Sequence, residues 1–202
     1  MQPTSPASPA GEPRRAAPGR LELVRQFINT ADLYPAEERL IDLGSLRSWL
    51  REHELIGARE RLEAGDLERA VAVREGLRSL LEARERDGGV DAATVRPLNE
   101  LAPAALLRVS FDSAGVPALE PVGGGLDRAF AELFAIIQLA EVDGSWARLK
   151  VCADHQCGWA FYDHSRNRSR SWCNMAVCGN RAKARQYRRR HRAPAVRRGG
   201  KR

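Results

Sequence analysis

Cys152, Cys157, Cys173 and Cys178 are the chain's four cysteines. They sit together as Cys-x4-Cys-x15-Cys-x4-Cys near the C-terminal end of 202 residues. Thiolates are soft ligands, and four of them suit a tetrahedral Zn2+ ion with no coordination position left open. The two-plus-two grouping matters, because each pair can come from one tight turn. A disulfide-stapled secreted chain spreads its cysteines over the fold it staples. The N-terminal stretch MQPTSPASPAGEPRRAAPGR lacks the apolar run of a secretory signal. The reading is therefore one structural zinc ion in a cytoplasmic protein, with disulfides or free core thiols as the alternatives. His155, inside the first pair, is a substitute ligand for which four cysteines leave no task. Asp163 and His164 resemble an acid/base pair, but a closed metal site gives them nothing to act on, and they read as polar loop residues.

A segment this short and this charged cannot build a sufficient core by itself. Structural zinc supplies about 10–16 kcal/mol of apparent binding energy to such folds. Trp159, Phe161, Tyr162 and Trp172 are expected to pack around it. Gly179 allows the close backbone approach of a metal-binding turn. Cys178→Ser should then lose the metal and unfold residues 150–190 while the rest of the chain stays folded.

A basic run starts directly after Cys178. NRAKARQYRRRHR has no Gly or Pro and reads as a helix ended by Pro194. Arg181, Arg185, Arg188 and Arg192 recur at helical spacing and share one face; Lys183 and Arg189 add to its charge. A helix whose first turn is held by zinc can enter a groove or lie along phosphates. Arg166, Arg168 and Arg170 form a second basic set before the second cysteine pair. Phosphate contacts position and base contacts specify, so these three are assigned to phosphates, and Arg181, Lys183 and Arg185 to base edges. The plain alternative is a solvated helix. The dominance of arginine, which makes bidentate contacts, argues against it.

Charge is divided along the chain. Residues 151–202 carry 14 Lys+Arg against Asp154 and Asp163, a balance of +12, while residues 1–150 carry 19 against 24 acids, a balance of −5; together they make the net +7. An acidic body with a basic end points to a polyanionic partner for the end.

The elements that must position these residues are mostly helices. Residues 1–20, rich in Pro, Ala, Ser and Gly, read as a disordered arm. LELVRQFINT forms a short helix from Leu21. Ser45 is expected to cap a second, with Leu46, Trp49 and Leu50 on one face. Asp66 is expected to cap a third, ended by Asp87-Gly88-Gly89, and Asp91 to start a fourth. Leu107, Val109 and Phe111 alternate with polar residues as in a strand, and VPALEPV follows as its hairpin partner, an edge because of Pro117 and Pro121. After the GGG break at 123–125 comes a strongly apolar helix to about Val142, with Leu126, Phe130, Leu133, Ile137 and Ala140 as its stripe. WARLKV then reads as a strand leading to Cys152. The fold class is α+β: a mainly helical domain with a small β-hairpin over 21–147, a four-cysteine zinc-finger module ending in a basic helix over 148–192, and a basic tail over 193–202.

The stretch CGWAFYDHSRNRSRSWCNMAVCGNRAKARQYRRR closely resembles the CGNR zinc-finger family, whose motif is Cys178-Gly179-Asn180-Arg181 here. Upstream, FINT at 27–30, the Trp49 helix, the Arg74/Arg78 helix and the long apolar helix are similar to the companion ABATE domain. The resemblance implies a bacterial stress-induced transcription regulator, with zinc ligands at the four cysteines and DNA as partner. Ser171 departs from the pattern, where a basic residue is expected.

The leading function is DNA-binding transcription regulation. The runner-up is an RNA-binding or protein-interaction zinc module without sequence-specific DNA recognition. No phosphate loop, nucleophile elbow or metal-binding histidine pair marks an enzyme, and His53 reads as a polar helix edge. Asn29, Thr30, Arg74, Arg78 and Asn99 either line a small-molecule effector pocket or cap helices and pair with acids, the second being favoured. A homodimer formed through the body would enlarge a small DNA footprint. No segment is apolar and long enough to span a membrane.

Overall fold

A computed structural model describes residues 15–33, 36–86 and 89–191. Among them are six α-helices and three small antiparallel strand pairs, the α+β arrangement expected. Helix α1 (Leu21–Ile28) is followed by the two-residue pair β1 (Ala31–Asp32) and β2 (Glu37–Glu38), then α2 (Leu43–Glu52), α3 (Asp66–Arg84) and α4 (Ala92–Leu101). The hairpin β3 (Leu107–Phe111) and β4 (Pro117–Pro121) leads into α5 (Gly125–Val142). Strands β5 (Leu149–Val151) and β6 (Ala160–Tyr162) and helix α6 (Asn180–His191) complete the chain. Among the described residues no helix is long and apolar enough to cross a membrane.

Local chemistry explains the helix starts. The cap of α2 stands three residues before the expected one: Asp42 accepts from the Ser45 backbone amide at 2.7 Å, while Ser45 Oγ accepts from the Asp42 amide at 3.0 Å. Ser45 is thus the third residue of a capping box, not the cap. Asp66 is likewise the first helical residue rather than the cap; Gly65 precedes it, and the carboxylate takes the Glu63 amide at 2.8 Å. Helix α3 ends at Arg84; the expected stop at Asp87-Gly88 lies outside the described residues. Asp91 caps α4 through the Thr94 amide, as expected. Of WARLKV only Leu149–Val151 is strand, and Trp146–Arg148 makes one 3-10 turn before it. Of the arm expected over 1–20, residues 1–14 lie outside the described residues; Ala17 is buried, and its amide donates to Glu22.

The core gathers Val24, Phe27 and Ile28 of α1, Leu46 and Leu50 of α2, Val73, Leu77 and Leu81 of α3, and Phe130 and Leu133 of α5. On α5 it is Ile136 that is fully buried; Ile137 is half-buried. Helix α4 packs on α3 at Gly76, where a Cβ would stand 2.8 Å from Leu98 Cδ2. Only glycine permits that approach.

This core does not stop where the cysteine module begins. Leu149, Val151 and Ala160 belong to it, and β5 and β6 lie against α3 and α1. Buried polar groups seal the joint. Asn29 donates to the Ala160 carbonyl and accepts from the Ala160 amide, both at 2.8 Å. Arg78, 3% exposed, donates to the carbonyls of Gly158, Ile28 and Ala31. Arg74 takes both oxygens of Glu38 at 2.7 Å and also reaches Thr30. Four of the five residues weighed for an effector pocket are therefore joined in a buried network with protein partners, and Asn99 is exposed on α4. The structure favours the pairing role for them.

Candidate metal centre and basic helix

Cys152 follows β5 directly, and its amide donates to the Trp159 carbonyl across the β5–β6 pair at 3.0 Å. A tight turn brings Cys157 back, closed by its amide on the Asp154 carbonyl at 2.7 Å. Cys173 arrives on the return arm, where the Ala153 amide donates to the Ser171 carbonyl at 2.8 Å. Cys178 lies in a single π turn, Met175–Gly179, capped by the Asn174 side chain on the Val177 amide at 3.2 Å. A Cβ on Gly179 would stand 2.5 Å from Sδ of the exposed Met175 side chain, which would have to swing aside. The two loops supply two sulfurs each, as their spacing predicted.

The four Sγ atoms lie within 4.8 Å of one another, and all four residues are buried. Cys157 and Cys173 are 3.6 Å apart at sulfur, and Cys173 and Cys178 3.7 Å. Zn–S bonds of about 2.3 Å in a tetrahedron require sulfur separations near 3.8 Å, so the cluster fits one zinc ion. Its electrostatics agree. Hydrogen bonds from the Cys157 and Cys173 thiols pull Cys152 far down as a thiolate, while the same hydrogen bonds to Cys152, followed by burial, push Cys157 and Cys173 up. Four crowded sulfurs cannot all ionise without a cation between them, and a divalent ion removes that conflict. All four valences would be filled by protein, which makes the ion structural.

Phe161, Trp159, Trp172 and Val177 pack round the sulfurs. Tyr162 does not; it points across β6 into the main core. Alternation along the strand sends neighbours to opposite sides.

The two acids of the basic segment, Asp154 and Asp163, are both 0% exposed, and each organises half of the module. Asp163 accepts from the amides of Ser165 and Arg170 at 2.9 Å and faces Lys150 Nζ at 3.5 Å. Burial works against its charge, but these donors outweigh it and hold the carboxyl below its ordinary value. Asp154 holds α6: Arg181 Nε lies 2.9 Å from Oδ2 and Arg185 Nη2 2.8 Å from Oδ1. Arg181 also donates to Cys178 Sγ at 3.3 Å. The arginine of the CGNR motif thus ties a zinc ligand, the first loop and the helix together.

This placement divides the arginines expected to contact nucleic acid. Arg181 and Arg185, assigned to base edges, are half-buried and turned towards Asp154, because a buried carboxylate needs cationic partners. Arg170, assigned to phosphate, donates to the Trp172 and Cys173 carbonyls at 2.9 and 2.7 Å and lies over the Phe161 ring. Lys183, Arg188 and Arg189 are exposed on α6, as are Arg166 and Arg168 on the preceding loop. Arg192 and Pro194 lie outside the described residues. The sequence reading passed over Arg190, also exposed, and over Asp154. The signal for Asp154 was an acid kept inside a strongly basic run. Between the first cysteine loop and α6 runs a groove of about 440 Å3 lined by His155, Gln156, Gln186 and Arg189 among others.

Residues 148–191 match the CGNR zinc finger. Residues 21–149 match the family ABATE, described as "Putative stress-induced transcription regulator". A comparison with curated proteins finds no match. The chain belongs to the ABATE family and carries a CGNR zinc finger, with its four cysteines placed for one zinc ion, at the end of the ABATE domain.

Proposed function

We propose that the protein is a zinc-dependent DNA-binding transcription regulator in which the metal centre holds α6 in position to meet the duplex. The observation carrying this reading is the coupling of Cys178 to the start of α6, through Arg181 and Asp154, with Lys183, Arg188, Arg189 and Arg190 left exposed beyond it. Arg166 and Arg168 extend the same charge on the preceding loop. Phosphate attraction needs such exposed cations. The inward arginines serve a different end: they keep the helix rigid, which reduces the ordering cost of binding. We assign the protein no catalytic role.

The test is selection of genomic DNA fragments by the zinc-loaded full-length protein at physiological salt, followed by sequencing. A shared short motif is the expected result. Retention without a motif would reduce α6 to a source of charge and move RNA or a protein partner ahead.

A further inference from the structure

We infer that the β3–β4 hairpin is a homodimer interface, in which β3 pairs antiparallel with β3 of a second copy to make a four-stranded sheet. The inference does not depend on what α6 binds.

The hairpin register is Leu107↔Pro121, Val109↔Leu119 and Phe111↔Pro117, with Arg108↔Glu120 and Ser110↔Ala118 between. Backbone bonds join Val122 to Leu106 at one end and Asp112 to Val116 at the other. Bonded pairs alternate with unbonded ones along an antiparallel ladder, so the bonded positions on β3 are the even-numbered residues. The N–H and C=O groups of Leu107, Val109 and Phe111 therefore point away from β4. On β4 the corresponding outward positions are Pro117, Leu119 and Pro121.

The two edges thus differ. Two prolines close the β4 edge to any further strand, and β4 is also the strand lying against α5. The β3 edge has neither protection. Among the described residues no strand pairs with it, and none of its residues is buried. It also lacks the usual devices that blunt an edge: its one charge, Arg108, pairs with Glu120 at 2.8 Å, within the hairpin.

A second copy fits this edge by its own symmetry. With the twofold at Val109, Leu107 faces Phe111 of the second copy, Val109 faces Val109, and every outward backbone group on the five-residue strand finds a partner. Leu107, Val109, Phe111 and Leu119 share one face of the hairpin and are 38%, 58%, 69% and 38% exposed. The pairing sets the two apolar rows beside one another. Arg108 then falls opposite Ser110. Centring on Arg108 would set like charges opposite each other, which destabilises a sheet, and centring on Ser110 would carry Leu107 past the end of the partner strand.

The test is sedimentation equilibrium of the zinc-loaded full chain, wild type against Val109→Pro and Val109→Asp, with circular dichroism and zinc content as checks on folding. Val109→Pro removes one outward N–H and leaves the hairpin's own ladder intact, so a dimer should weaken by at least about tenfold. Val109→Asp should weaken it as well, and its charge provides a second reading if the proline variant does not fold. A spin label at Val109→Cys should report a short distance between copies. A wild-type monomer at high micromolar concentration overturns the inference. So does a dimer indifferent to both substitutions, or one lost with Val109→Asp but kept with a folded Val109→Pro, which would place the contact on the sheet face instead of its edge.

Discussion

Asp154 and Arg185 join the first cysteine loop to the second turn of the basic helix: Arg185 Nη2 stands 2.8 Å from an Oδ1 that has no exposure to solvent. Arg181 shares the same carboxylate. Removing it leaves two guanidinium groups without their anion, although both keep partial contact with water. Asp154→Ala should cost about 2 kcal/mol of module stability, less than a fully buried pair would lose. Hydrogen exchange at the α6 amides checks this; protection equal to wild type would mean that zinc alone holds the helix.

Zinc removal should reach beyond the module. Leu149, Val151 and Ala160 are packed with α1, α3 and α5 in one core, so unfolding of residues 150–190 should also weaken the helical body, which stays folded but less stable. Cys178→Ser, or a strong chelator, should lower the melting temperature of the helical body by roughly 10 °C. Far-ultraviolet circular dichroism with and without metal measures it. An unchanged melt of the body would show that the module is energetically separate.

Exposed and inward cations should separate in binding experiments. Lys183→Ala or Arg189→Ala should leave the melting temperature unchanged and reduce the slope of log affinity for DNA against log salt by about 1. Arg185→Ala should lower stability as well as affinity, because its partner is the buried Asp154. Titrations at several salt concentrations distinguish the two classes. Equal slopes for Lys183→Ala, Arg189→Ala and wild type would take α6 out of the interface.

Asn29→Ala should be among the more damaging changes far from the metal. It strands both the amide and the carbonyl of Ala160, each now satisfied at 2.8 Å, in a buried joint. A loss of about 2–4 kcal/mol is expected from two unmade buried hydrogen bonds. Denaturant unfolding reads it directly.

The Arg74–Glu38 pair sets an acid limb. Burial opposes the Glu38 charge, but the two hydrogen bonds from Arg74 and the Leu40 amide prevail and hold its carboxyl below the ordinary 4.5. The folded state then binds this proton less readily than the unfolded chain does. Its contribution to stability is complete above that ordinary value and drains away as pH falls through the lowered one. Glu38→Gln should flatten the stability profile in this window, as followed by thermal melts at stepped pH.

The residues themselves determined the metal centre and most of the elements. Cysteine spacing predicts two ligand turns because a loop of four residues returns the chain on itself, a local matter. Apolar period predicted α1, α3 and α5 for the same reason, and strand alternation with Pro117 and Pro121 located the hairpin. What lay beyond local reach was which side chains meet across the fold. Arg181 and Arg185 carry the same charge and helical spacing whether they face DNA or Asp154, and only the docking of the cysteine loop against α6 turned them inward. Asn29, Arg74 and Arg78 could line a pocket or pair within the fold, and the sequence favoured pairing without naming the partners. Tertiary packing spent them on the joint between body and module, because backbone groups buried at that joint must be paired. The cap of α2 shifted from Ser45 to Asp42 by the same logic on a smaller scale: both residues can cap, and the reciprocal pair satisfies two amides where Ser45 alone would satisfy one.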